Sequence, residues 1–138
     1  MEQVERFGVY MPPALLGSFD QAIAQAGYQS RSEAIRDIVR DYLVRQQWEQ
    51  PDAPVVGTIT LVYDHHTREL EDTLTDLQHE HHEAIICSTH VHLDAHSCLE
   101  MVAVRGSSAQ VQLIAQRLLS TRGVKHGGLT ATATGEHL

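Results

Sequence analysis

A short alternating strand followed at once by two amphipathic helices, all within the first fifty residues, is the feature that most restricts what this chain can become. Residues 4 to 11 run Val4-Glu5-Arg6-Phe7-Gly8-Val9-Tyr10-Met11, so Phe7, Val9 and Met11 face one side and Arg6, Gly8 and Tyr10 the other. Pro12 and Pro13 end that strand and suit the first turn of a helix, whose apolar stripe is Leu15, Leu16, Phe19, Ile23 and Ala26 and whose stop is Gly27. Ser30 with Glu33 three residues later is a capping box for a second helix, carried by Ile35, Ile38, Val39, Tyr42 and Leu43 out to about Trp48. One strand and two helices cannot cover the strand's apolar face, and a lone strand leaves its ladder unpaired. A second copy must therefore pair with it, giving a two-stranded ribbon above four helices with Arg6, Gly8 and Tyr10 on its outer face.

Gln50-Pro51-Asp52-Ala53-Pro54 reads as a linker, since two prolines stop any continuing helix, and it divides the chain into segments 1–50 and 51–138. Beyond it the patterning predicts a strand over 55–63, a helix over 67–82, a hairpin of 84–93 with 99–105, a helix over 109–119 and a last strand over 124–134. The order βαββαβ implies an α+β fold, an antiparallel sheet with two helices on one face, which is the ferredoxin-like (ACT-like) plan. Its open face or edge is a natural place for assembly.

Charge and histidine separate the same two halves. The formal net charge of -8 argues against nucleic acid at first sight, because phosphate binding relies on Lys and Arg. The first fifty residues, however, hold five Arg against seven acids, so most of the acidity lies later, and all ten histidines lie from His65 onward. No run of about 18 apolar residues and no basic-then-apolar leader occurs, so a cytoplasmic location with no membrane partner is expected. Cys87 and Cys98 then read as thiols instead of a disulfide. Cys87, after Ile85-Ile86, reads as a core residue.

The strongest chemical constellation is His90-Val91-His92 followed by Cys98. Residues two apart on a strand project to one face, and the turn Asp94-Ala95-His96-Ser97 brings Cys98 back beside them, so three ligands converge on one ion. Any one of these residues alone would read as an exposed histidine or a buried thiol. The helix end Gln78-His79-Glu80-His81-His82 is the obvious supply of a fourth donor, although spacing does not select among its three histidines. Three imidazoles and a thiolate in a plane suit Ni(II), the same donors in a tetrahedron suit Zn(II), and Cu(II) binds any such site more tightly.

The stretch Arg31-Ser32-Glu33-Ala34-Ile35-Arg36-Asp37, with Gln78-His79, Thr89-His90-Val91-His92-Leu93 and Cys98-Leu99-Glu100, resembles the nickel-responsive regulators, over nearly the whole chain. The resemblance implies a ribbon-helix-helix DNA-binding domain joined to a regulatory domain. It also implies Ni(II) ligands at His90, His92 and Cys98 of one protomer and His79 of another, and hence a homotetramer built as a dimer of dimers. Double-stranded operator DNA is the implied partner, with Arg6, Gly8 and Tyr10 at base edges and Ser30, Arg31 and Ser32 at a phosphate over the second helix's N-terminus. Gly8 and Tyr10 depart from the small hydroxyl residues common there. Gln78 and Glu100 are candidates for orienting ligand imidazoles. Glu33 and Asp37 suit either ion pairs with Arg36 and Arg40, the favoured reading, or a second cation site implied by the resemblance.

His65, His66, His81, His82 and His96 read as solvated histidines, the first four with weak accessory metal sites as an alternative. A metal-dependent hydrolase is disfavoured, because a His-Glu-x-x-His face would need a second histidine where Glu83 stands. Nickel storage or trafficking would use the histidines but leaves the first fifty residues without a purpose. An enzyme is not expected.

Overall fold

The computed structural model describes residues 3–138. Packing divides the chain into two compact units, Met1–Asp41 and Tyr42–Leu138. In the first, α1 (Pro13–Gln25) starts on a proline and closes through a Schellman turn, with Gly27 at φ +91° and Tyr28 N–H donating to the Ile23 carbonyl at 3.0 Å. At the start of α2 (Arg31–Glu49), Ser30 Oγ accepts from the Glu33 N–H, while Glu33 reaches back to the Gln29 N–H, one residue earlier than a standard capping box. Residues 4 to 11 form no ladder among the described residues, because this unit offers them no strand to pair with. α1 buries no residue at all, and Phe7, Val9, Leu15, Ile38 and Val39 stay exposed. A unit with only Ala34 buried among its described residues has no core of its own.

The second unit begins inside α2, eight residues ahead of Gln50. Its elements are β1 (Pro54–Asp64), α3 (Leu70–Glu80), β2 (Ile85–His92), β3 (Ser97–Ser107), α4 (Ser108–Leu119) and β4 (Val124–Thr132). The strands form one antiparallel sheet in the order β2-β3-β1-β4, the expected βαββαβ plan. Alternate residues of β1 and β3 point into one core, where Ile59, Leu61, Tyr63, Val102 and Val104 meet Leu74 of α3 and Val111, Ile114 and Leu118 of α4. Both helices therefore cover one face, and Thr58, Thr60, Leu99 and Met101 line the other, half-buried.

Trp48 ties the end of α2 to this unit. Its indole N–H donates to the Thr132 carbonyl at 2.8 Å, and its own carbonyl accepts from Gln112 Nε2 at 3.2 Å and from the Ser108 hydroxyl. Residues 67 to 69, expected to be helical, instead turn into α3, with Glu69 left-handed at φ 64°. At Gly127 a Cβ would collide with the Thr60 carbonyl oxygen, so only glycine lets β4 approach β1 so closely. Cys87 is exposed and not in the core. It lies on the edge strand β2 opposite Ala103, beyond a bulge between Ile85 and Cys87, on the face the helices leave open.

Candidate functional site

β2 and β3 bring the candidate ligands together through their register. His90 lies opposite Glu100 and His92 opposite Cys98, so all four belong to the helix-covered face, at the margin where β2 runs out from under the helices. Cys98 and Glu100 are buried while His90 and His92 are exposed, an arrangement in which one side of the site is fixed by the core and the other is open.

The two nitrogens of His90 have different surroundings. Nε2 is 3.1 Å from Glu100 Oε1, whereas Nδ1 lies 3.9 Å from Cys98 Sγ and 3.4 Å from the Tyr63 hydroxyl. Glu100 in turn accepts from Gln78 Nε2 on α3 at 3.3 and 3.4 Å. A carboxylate taking the Nε2 proton leaves the Nδ1 lone pair facing the thiol, which is how outer groups set a ligand's tautomer. Burial pushes the Glu100 carboxyl above its usual range, opposed by His90 and by the Gln78 hydrogen bond. Burial likewise raises the Tyr63 phenol, with the Glu100 charge next in effect.

Among the described residues, one set of three donors converges: ligand atoms of Glu71, His90 and Cys98 all lie within 4.8 Å of one another. His79 and His92 are not in that set. His79 sits in the last turn of α3, about 100° around the helix from Gln78, which faces Glu100. His92 turns to His65, ring centroids 5.1 Å apart, and His65 lies tilted against His66 at 4.1 Å. His65 Nδ1 is buried without a hydrogen-bond partner. His66 also meets His96 at 5.5 Å and approaches the Ala95 carbonyl through Nε2 at 3.0 Å. His81 Nε2 lies 3.0 Å from Arg117, and His82 lies 3.7 Å from Glu83. The single chain thus supplies an imidazole, a thiol and a carboxylate, a set that fits a borderline divalent cation but does not fill four positions with nitrogen and sulfur.

Glu71 and Tyr63 escaped sequence reasoning. The signal for Glu71 was its spacing: seven residues before Gln78 places both on one helix face. Tyr63 is opposite Cys98 in the β1–β3 register, which strand pairing alone reveals.

In the first unit, Arg6, Gly8 and Tyr10 are exposed, and nothing lies within 4 Å of a Cβ built on Gly8. Arg31 is engaged by Asp20 through Nε at 2.8 Å and Nη2 at 2.7 Å, and that pairing holds the Asp20 carboxyl below its usual range. Ser30 spends its hydroxyl on the helix cap, and Ser32 follows Arg31 in the first turn. Asp37 pairs with Arg40 at 3.2 Å and accepts from the Tyr28 hydroxyl at 2.8 Å, while Glu33 caps α2.

Residues 56–132 match the family model described as NikR C terminal nickel binding domain, and residues 5–46 match that of the ribbon-helix-helix protein, copG family. A nickel-responsive regulator of Geobacter sulfurreducens is 54% identical over all of this chain and 99% of its own length. Relatives of the same name from Geotalea uraniireducens and Caldanaerobacter subterraneus subsp. tengcongensis are 53% and 51% identical over the whole chain, covering 99% and 90% of theirs. The chain belongs to the nickel-responsive regulator family. The α+β regulator therefore joins a ribbon-helix-helix DNA-binding module to a nickel-binding module, and it is not an enzyme. No helix of the described residues is long and apolar enough to cross a membrane.

Proposed function

We propose that this regulator is a cytoplasmic repressor that grips operator DNA when Ni(II) occupies its second half. Segment 1–50 reads the operator and segment 51–138 senses the metal. His90, His92 and Cys98 of one copy and His79 of another hold the ion, with Glu100 and Gln78 orienting His90. When bound, the metal supplies a rigid cross-link between copies; the chain's own residues set where that link forms.

The observation that carries this reading is the pairing of His90 Nδ1 with Cys98 Sγ at 3.9 Å, backed by a buried carboxylate on the other ring nitrogen. That combination suits a metal ligand pair better than a solvated histidine, which would not need a buried acid behind it. The position of His79, about 100° around α3 from Gln78 and outside the converging set, supports its donation to a neighbouring copy. The coreless first unit supports a second contact, the ribbon dimer, with the groove of about 680 Å³ lined by Phe7, Val9, Met11, Leu16, Phe19 and Ile35 receiving it. Two different contacts between copies close as a tetramer, a dimer of dimers. Arg6, Gly8 and Tyr10 then face base edges, and Ser30, Arg31 and Ser32 face phosphate, where Arg31 would exchange its Asp20 partner for the DNA backbone.

Binding of operator DNA measured with metal-free and nickel-loaded protein at fixed ionic strength tests the reading. A gain of roughly 5- to 150-fold on loading is expected for a typical coupling. Equal affinities would point to nickel storage, the reading that needs no response from the DNA.

A further inference from the structure

The convergence of Glu71 with His90 and Cys98 belongs to a single copy, whereas the ligand set proposed above requires two. We propose that Glu71 is a metal donor in its own right, forming with His90 and Cys98 an in-chain site on which a borderline divalent cation of the Ni(II) or Co(II) type loads before another copy contributes His79. This inference rests on the reading of His90 and Cys98 as ligands.

Three observations support it. Ligand atoms of the three residues lie within 4.8 Å of one another, and a tetrahedral ion bound to nitrogen and sulfur holds those donors roughly 3.5 Å apart, so the Cys98–His90 separation of 3.9 Å is already close. The remaining closure falls to Glu71, an exposed side chain with three rotatable bonds and no hydrogen bond or ion pair to another described residue. A carboxylate placed beside a thiol and an imidazole, with no Lys or Arg in the group, is a poor arrangement for an empty site and a suitable one for a cation. Loading releases the Cys98 proton to solvent. An oxygen donor is harder than imidazole, so the in-chain complex is weaker than the completed one, and exchange of Glu71 for the histidine of a second copy makes metal tightening depend on assembly.

The test uses the full chain and Ni(II) alone, read through thiolate-to-metal charge-transfer absorption. His79→Ala removes the inter-copy donor and should leave a weaker complex of one ion per chain that still shows the band. Adding Glu71→Gln to His79→Ala should weaken it a further tenfold or more. Adding Asp72→Asn, an exposed acid in the same first turn, should leave it unchanged and so separates ligation from bulk charge. Equal affinity for His79→Ala with and without Glu71→Gln overturns the proposal, as does an equal loss with Asp72→Asn, provided circular dichroism shows all variants folded. Should His79→Ala bind as tightly as the parent, the inter-copy donor fails instead, and the Glu71 comparison in that background still decides the in-chain site.

Discussion

His90 and Glu100 stand directly opposite each other on β2 and β3, with imidazole Nε2 and carboxylate Oε1 3.1 Å apart and only the carboxylate buried. An acid at that nitrogen favours the tautomer with Nε2–H, which turns the Nδ1 lone pair to the thiol. Glu100→Ala is expected to weaken nickel binding by about 10- to 100-fold, the usual cost of removing a group that orients a ligand. Glu100→Gln, whose amide oxygen still accepts from Nε2–H, should recover much of that loss in a competition titration against a chelator of known affinity.

The same carboxylate makes the metal-free protein sensitive to pH. Burial raises the Glu100 pKa in the folded chain above its unfolded value, so between the two values the folded state binds more protons than the unfolded. Stability should therefore decline as pH rises through that window, and Glu100→Gln should flatten the decline. Thermal melts of metal-free parent and variant across the carboxylate range and up to neutrality check the sign; a parent that stabilises with rising pH there would contradict it.

Trp48 ought to matter to stability more than its place near a linker suggests. Its ring is largely buried and its indole and carbonyl together hold three hydrogen bonds to β4 and α4. Trp48→Ala is expected to cost about 3–5 kcal/mol as a large buried aromatic. Ser108→Ala, which leaves the Gln112 bond to the same carbonyl, should cost about 1 kcal/mol. Chemical denaturation of the metal-free protein separates the two.

Trp48 also shows how far the sequence could be read. Apolar spacing was enough to extend α2 to residue 48, but spacing does not say what a helix end packs against, and packing groups the last turns of α2 with the second unit. The βαββαβ order was legible because alternation and helical periodicity are local. The alternation at 4–11 was legible as a pattern, yet those residues form no ladder among the described residues, and in the proposed assembly a second copy would supply it. His90 and Cys98 were legible from strand alternation and one turn. Glu71 was legible only as sharing the helix face of Gln78; its approach to His90 and Cys98 depends on how α3 lies across β2 and β3, which that spacing does not encode. Cys87 was misread because a bulge at Ile85 sends it to the open face.

That placement gives a discriminating pair of thiol variants. Cys87 lies on the opposite face of β2 from His90, whereas Cys98 Sγ is 3.9 Å from it. Cys98→Ala should abolish the thiolate-to-nickel absorption band and weaken binding by at least 100-fold, as expected when an anionic donor is deleted outright. Cys87→Ala should keep the band and change affinity by no more than about twofold. Loss of the band on Cys87→Ala would transfer the ligand role to the open face.

The two units should also fail separately. Phe7 and Val9 are exposed in a unit that buries almost nothing, while the second unit keeps its own core around Ile59, Leu61 and Val102. Placing a charge on the apolar side of the ribbon with Val9→Asp leaves that charge unpaired wherever two strands meet, so the ribbon dimer should not form. Operator binding, followed by fluorescence anisotropy, is expected to fall at least 100-fold with or without metal, because an unpaired ribbon cannot present Arg6 and Tyr10 to a groove. Nickel binding at His90 and Cys98 should persist within about threefold, since those residues hang on the second unit's sheet. Parallel loss of nickel binding would mean that the ribbon dimer is needed to assemble the metal site, and the two contacts between copies would then not be independent.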